Sequence, residues 1–415
     1  MTIALPAGRE RLLLLTLAGI QFTHILDFMI MMPLGPLFTK LFAISDAQFG
    51  LLVSAYTFSA GASGLLAAFY VDRFGRKKLL LVLYVLFALA TLACGLAGSY
   101  GALMVARVAA GAFGGVLSAM SQTIVGDVVP FERRGRATGL VMASFSVATV
   151  AGVPLSLFLA AHWGWHAPFF AIAGMSALFA AFAAATLPPL TDHLRVGQRA
   201  SPLAAIRSLL TERRHVQALA FSVLLVFAAF TVIPYLTIYF TSNGALTTEQ
   251  LPYIYLFGGA ATLLTSQWIG RIADHAGKVR TFRVMALVMM VPLLAVTLSA
   301  KLPVARIIAI TTVFFICMNG RMVPGMAILT SAAQPALRGT FMALSASIQS
   351  AAMGVAAYLG GLLIARSAAG QVEHYWANAL VGIAASAASI WLVGRLHLYG
   401  QAPAKTAMTV MPAKG

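Results

Sequence analysis

The chain has 415 residues, 60% of them hydrophobic and only 9% charged, with a mean hydropathy of +0.89; this composition excludes a soluble globular protein and requires an integral membrane protein. The formal net charge of +17 does not point to nucleic acid, because the cations sit in short clusters between apolar runs and not along one polar surface. Both cysteines, Cys94 and Cys317, lie inside apolar runs, which leaves neither a disulfide framework nor metal-ligand spacing.

With about 20 apolar residues per crossing, twelve spans are predicted. In the first half they fall at 11–38, 47–69, 79–98, 101–125, 137–160 and 167–188; in the second at 215–241, 247–269, 281–300, 303–328, 340–365 and 376–397. The expected fold is all-α, with twelve transmembrane helices in two pseudo-symmetric six-helix halves, 1–188 and 215–397. The polar interval 189–214 is the linker, with a short amphipathic helix from Pro202 to Arg214, and 398–415 is a polar tail. Arg9 and Arg11 precede an apolar run too long for a signal peptide and without a small-residue cleavage site, so the run is the first span.

The first span carries Asp27, about 24 Å from its start at ~1.5 Å per residue. It is the one acid well inside any predicted span, and an ionisable group there costs roughly 2.5–3.5 kcal/mol and usually carries function. Thr23, His24 and Met31 share its helical face, and Met29, Met31 and Met32 offer a soft surface for apolar ligands. The fourth span runs the opposite way and holds Arg107 about 9 Å below its surface by the same rise, which nearly matches Asp27 in depth and predicts a pair. Burial and the neighbouring cation act on the carboxylate in opposite senses, and that balance permits proton uptake when the surroundings change. Gly111, Ser118 and Gln122 continue the Arg107 face, Gly111 for packing and the other two toward a cavity.

Between the second and third spans stands A-F-Y-V-D-R-F-G-R-K-K, residues 68–78; G-R-I-A-D-H-A-G-K-V-R, residues 270–280, repeats it 202 residues later. The match sets Asp72 on Asp274 and Gly75 on Gly277. P-F-E-R-R-G from Pro130 recurs as P-A-L-R-G from Pro335 at an offset of 204–205, so one half duplicates the other. Gly75 suits a tight turn, Arg73 and Arg76 suit lipid phosphates, and Asp72 can pair with a cation to hold neighbouring helices.

In the second half, Thr231, Tyr235 and Tyr239 share a face of the seventh span, and Pro234 and Pro252 predict kinks at the ends of spans seven and eight. Asn319 and Arg321 lie deep in the tenth span with no deep acid nearby, and Ser345 and Gln349 lie in the eleventh; Tyr235, Tyr239, Asn319, Arg321 and Gln349 are expected at the cavity. With the N-terminus inside, 22 of the 28 Lys and Arg fall on the inner side. Both termini are therefore expected in the cytoplasm and the protein in the cell inner (plasma) membrane.

Twelve spans in two halves, a basic linker and D-R-F-G-R-K-K together resemble the major facilitator superfamily over nearly the whole chain. The family places glycine four residues before the loop aspartate; here that place is Ala68, while Gly270 keeps it in the second copy. The resemblance implies that Asp72, Arg73 and Arg76 stabilise an outward-open arrangement, and R-V-A-A-G in the fourth span implies that Arg107 takes part in proton coupling. Residues 133–169 look like the drug- and sugar-efflux branch, although of its fifth-span glycine run only Gly152 and Pro154 remain.

The expected function is secondary, proton-coupled efflux of a small molecule, drug-like, sugar or metabolite, by a monomer that uses alternating access and no cofactor. A second reading makes Arg321 the anchor of an organic anion, and a third makes the chain a receptor of the same fold that moves no solute. No glycine-rich phosphate loop supports ATP-driven pumping, and no nucleophile with a base or metal cluster supports an enzyme.

Overall fold

The computed structural model describes residues 6–129, 134–191, 202–334 and 337–399. The chain folds almost entirely into helices. In the first half these are α1 (Ala7–Ile30), α2 (Gly35–Leu41), α3 (Asp46–Tyr70), α4 (Arg76–Gly95), α5 (Tyr100–Val128), α6 (Arg134–Val147), α7 (Val153–Trp163) and α8 (His166–Thr186). After the linker helix α9 (Pro202–Thr211) come α10 (Arg213–Phe230), α11 (Leu236–Ser242), α12 (Leu251–Ala276), α13 (Lys278–Thr297), α14 (Val304–Ala332), α15 (Arg338–Leu363) and α16 (Tyr375–Val393). Among the described residues eleven helical stretches are long and apolar enough to cross a membrane. Helix α12 is the twelfth: its 26 residues reach about 39 Å, and Thr262, Thr265, Ser266 and Gln267 make it less apolar. The fold is thus the expected twelve-helix arrangement in two halves.

Helix ends follow local chemistry. The Ser45 hydroxyl accepts from Gln48 N while the Gln48 side chain accepts from Ser45 N, a capping box that starts α3. Ser99 caps α5 through the backbone N–H of Ala102. The first predicted span does not run unbroken to 38. It stops at Ile30, and after a turn containing Pro33 the chain re-enters as α2, with Pro36 in its first turn, because proline cannot donate into a continuing helix.

Of the two predicted kinks, Pro234 breaks the seventh span as a short 3₁₀ turn, Ile233–Tyr235, between α10 and α11. Pro252 instead stands in the first turn of α12, where its missing N–H costs nothing, so it begins that helix and does not bend it. In the fifth span Ala148–Gly152 forms a π-helical turn ahead of Pro154. The linker helix ends at Thr211, with Leu209 fully buried against the second half.

The loop from Val71 to Arg76 lies beside the end of α5, at what is called here the basic end of the bundle; the other is the far end. The halves meet chiefly where α3 lies antiparallel to α15, and this seam is made of small residues. Ser54 Oγ donates to Gly354 O at 2.6 Å, and a Cβ added to Gly61 would lie 2.7 Å from Ser347 O. Within the first half α3 and α5 are as close. A Cβ on Gly111 or Gly115 would lie 2.3 Å from the carbonyl oxygen of Tyr56 or Ala60, so only glycine allows the backbones this approach.

Gly115→Leu is expected to lower stability by about 1–3 kcal/mol through overpacking, read as a lower midpoint of thermal unfolding in detergent. An unchanged midpoint would mean that α3 and α5 are not in backbone contact.

Candidate functional site

The deepest charges in the first half meet. Arg107 Nη1 donates to Asp27 Oδ2 at 2.9 Å and to Asp27 O at 3.2 Å, and both side chains are fully buried. The pair joins α1 to α5 at the depth their opposite directions predict. Desolvating either charge alone would cost several kcal/mol, so each stabilises the other's burial. The Arg107 guanidinium lies 4.3 Å from the centroid of the Tyr56 ring, a cation–π contact from α3. Tyr56 stacks on Phe28 at 5.5 Å, and Phe28 stacks on Phe230 of α10 at 6.1 Å. An aromatic stack therefore leads from the ion pair across to the second half. Tyr56 lacks any periodic or charge signal, and sequence reasoning missed it.

The other expected cavity residues divide into two groups. Thr23, Met31, Tyr235, Tyr239 and Arg321 are buried among helices, and His24 is half-buried. Thr23 shares a hydrogen bond with the Tyr84 hydroxyl at 2.8 Å. Tyr235 donates to Ala357 O, and the Tyr239 hydroxyl accepts from Ala300 N at 3.3 Å, so both tyrosines pack the far end in this conformation. His24 sits between Tyr56 and Phe87 with ring centroids at 6.2 and 6.0 Å. Ser118, Gln122, Asn319 and Gln349 are half-buried. Ser118 accepts from Gln21 Nε2 at 3.1 Å, Asn319 donates to Ser266 of α12, and Gln349 donates to Ser345 at 3.0 Å.

Among the described residues no acid pairs with Arg321. Its Nη2 donates to Leu225 O at 2.6 Å and Nη1 to Ser386 Oγ at 3.4 Å, so the guanidinium is held inside the second half between α10 and α16.

At the basic end Arg76 is buried, donating from Nε to Asp127 Oδ2 at 3.2 Å and from Nη1 to Val71 O at 3.1 Å. This ties the start of α4 to the end of α5. Asp72 lies in the 3₁₀ turn Val71–Arg73, and its side chain is outside the described residues; Arg73 is exposed. The two repeat loops close differently. Gly277 has φ of +91°, a conformation that favours glycine, whereas Gly75 has an ordinary φ of −59° and owes its place to space, since a Cβ there would lie 3.2 Å from Thr191 Cγ2. The positive φ that only glycine readily adopts therefore stands in the second copy, at Gly277, and not at Gly75. Asp274 is exposed at the end of α12.

The far end holds the one ion pair between halves among the described residues. Arg366 forks onto Asp46 through Nε at 2.8 Å and Nη2 at 2.7 Å. A two-stranded hairpin, β1 (Ala365–Arg366) with β2 (Val372–Glu373), presents the arginine, and Asn243 braces it by exchanging hydrogen bonds with Val372 at 3.1 and 2.7 Å. Beside the fork, Thr237 donates to Met32 O at 2.9 Å.

Residues 17–357 match the Major Facilitator Superfamily profile. The chain belongs to the major facilitator superfamily. Solved structures with the same fold include a bacterial homolog of the human lysosomal transporter Spinster in an inward-facing, unoccupied conformation, at 15% identity and TM-score 0.73, covering 94% of this chain and 98% of that one. A D-xylose–proton symporter matches at 18% identity and TM-score 0.75, covering 92% and 96%, and the nucleoside transporter NupG at 11% and 0.74, covering 92% and 99%. Membership of the superfamily makes the chain a multi-pass membrane transporter of a small molecule.

A superfamily transporter must part its halves at one end at a time. The Asp46–Arg366 fork opposes parting at the far end, with Asp46 buried and the Arg366 side chain 35% exposed. Charge-assisted hydrogen bonds of this exposure are worth about 1–2 kcal/mol, roughly a tenfold shift in population. Arg366→Asp is therefore expected to lengthen the distance between spin labels on exposed Lys40 and Thr247, and adding Asp46→Arg to restore it. Equal distance distributions in the parent, single and double variants would remove the fork's role as a latch.

Proposed function

We propose that the chain is a proton-coupled exporter of the drug- and sugar-efflux type, with Asp27 as the proton carrier and Arg107 as the group that answers its charge. The observation that carries this reading is the fully buried 2.9 Å pair between them. Protonating Asp27 removes the negative partner and leaves Arg107 charged, so the pair has two electrostatic states of unequal strength, as coupling requires. The aromatic stack through Phe28 to Phe230 gives the second half a contact that senses the change.

The positive-inside rule sets the basic end in the cytoplasm with both termini, in the cell inner membrane. The latched far end then faces outward, and the half-buried Gln122, Asn319 and Gln349 serve substrate loaded from the cytoplasm. Asp72, Arg73 and Arg76 with the Asp127 partner, and Asp274 with Gly277 in the second copy, act as the gate of the basic end.

Asp27→Asn keeps the side chain's size and an acceptor for Arg107 while removing the titration. In proteoliposomes carrying a pH gradient, it is expected to abolish proton-driven movement of ethidium or arabinose, whichever the parent transports, while thermal unfolding stays near the parent's. Transport with an unchanged pH dependence would sink the assignment.

Arg321 favours a second reading, because a buried guanidinium without a carboxylate suits an anionic ligand group once the second half loosens. If the substrate is an organic anion, citrate or phosphate at about one hundred times its dissociation constant stabilises the parent by ~2.7 kcal/mol, and Arg321→Gln loses that stabilisation. Equal stabilisation of both proteins would remove the anion reading.

A further inference from the structure

The first half concentrates polar atoms for which its side chains provide no partner. Among the described residues thirteen buried side-chain nitrogens and oxygens lack a hydrogen-bond partner, although His215 Nδ1 lies 3.0 Å from Glu212 Oε2, and seven of the thirteen are Gln21 Oε1, His24 Nδ1 and Nε2, Asp27 Oδ1, Tyr56 Oη, and Arg107 Nε and Nη2. Scatter over twelve spans would not place more than half of them around one ion pair. Buried polar groups are nearly always satisfied, and water is the usual partner where protein supplies none.

The seven atoms are ordered along the bundle. Gln21, His24 and Asp27 are three residues apart on one side of α1, a rise of about 9 Å from first to last. The facing side of α5 runs Arg107, Gly111, Gly114, Ser118, Gln122 toward the basic end. Gly114 marks where the two helices share space with Tyr56: a Cβ there would lie 2.6 Å from His24 Cδ2, 2.7 Å from Tyr56 Oη and 2.9 Å from His24 Nε2. The polar edge of His24 and the Tyr56 hydroxyl thus converge on a place a larger residue would fill. Arg107 and Asp27 are 0% exposed and Gln21 4%, while His24 between them and Ser118 and Gln122 toward the basic end are half-buried.

We infer that Gln21, His24 and Tyr56 line a hydrated proton path from the basic end to Asp27. The inference rests on the reading of Asp27 as the proton carrier and adds the route by which the proton arrives. The step balances without a resident charge: His24 takes a proton at one ring nitrogen and releases another from the opposite nitrogen toward Asp27 Oδ1. The ring returns neutral in its other tautomer, and the carboxylate becomes an acid. Gln21 and Tyr56 hold the water on either side through the atoms they leave unpartnered. The charged and titratable groups around His24 are Arg107 from α5, Asp27 on its own helix, Tyr56 from α3, and Tyr84 and Cys94 from α4. Helices α6 and α8, also packed on α1, bring the uncharged Ser144 and Ser176. His24 is therefore the one imidazole in the row.

The test follows protonation of Asp27 after a pH jump, by infrared absorption of its carboxyl group in detergent-purified protein, with the band assigned by its loss in Asp27→Asn. His24→Phe and Gln21→Leu are expected to slow the appearance of the band about tenfold or more, with thermal unfolding unchanged, and His24→Gln, which keeps a polar side chain, to recover most of the rate. If His24→Phe does not fold, Gln21→Leu and Tyr56→Phe carry the measurement. Wild-type rates in the folded variants would overturn the path and leave Asp27 as the carrier. A parent protein whose Asp27 band never appears within its range of stability would overturn the carrier and the path together.

Discussion

A carboxylate and a guanidinium in contact at full burial constrain the first half more than any other interaction. Neither charge can stay without the other in a low-dielectric bundle, so α1 and α5 are held at one relative height. The rest of that half accommodates the choice. Gly111 and Gly115 bring α3 against α5, which lays Tyr56 over the guanidinium, and Tyr56 in turn positions Phe28 and, across the boundary, Phe230.

The second half shows what happens without the carboxylate. Arg321 is as deeply buried as Arg107, yet a backbone carbonyl and a serine hydroxyl receive it. The chain duplicates its frame, the loop motif and the twelve-helix order, but not its charges. The buried acid–base pair thus belongs to the first half, and the second half buries its arginine on neutral acceptors. The same asymmetry appears in the two repeat loops, one closed by a positive-φ glycine and the other by a glycine that makes room for Thr191.

Hydropathy and charge made most of the fold legible in the sequence, because a membrane leaves a chain few options: about 20 apolar residues form a helix, and basic loops gather at one end. The meeting of Asp27 and Arg107 was legible for the same reason, since depth along a helix is simple arithmetic. The break after Ile30, the hairpin that carries Arg366 and the role of Tyr56 were not. Pro33 and Pro36 sit in an apolar run that hydropathy averages over. Asp46 and Arg366 are 320 residues apart, and only the packing of α3 on α15 brings them together. The tyrosines of the seventh span looked like cavity residues because a polar tip on an apolar body suits a wet pocket and a dry helix contact equally; the neighbours decide, and at Tyr235 the neighbour is the Ala357 carbonyl.

The seam between α3 and α15 is built from Gly50, Ser54, Gly61, Gly354 and Gly361, with backbone close to backbone along its length. Side chains that interlock resist sliding and rolling, because each knob must climb out of its hole. A seam built mostly of glycine and serine has few such knobs, the Phe58 ring over Gly354 being one. Such a seam keeps the two bodies in register at close backbone distance and sets fewer side-chain obstacles against a small roll about the line of contact. The charged contact between the halves stands at the end of this seam, where Asp46 opens α3 against Gly361 and takes the fork from Arg366.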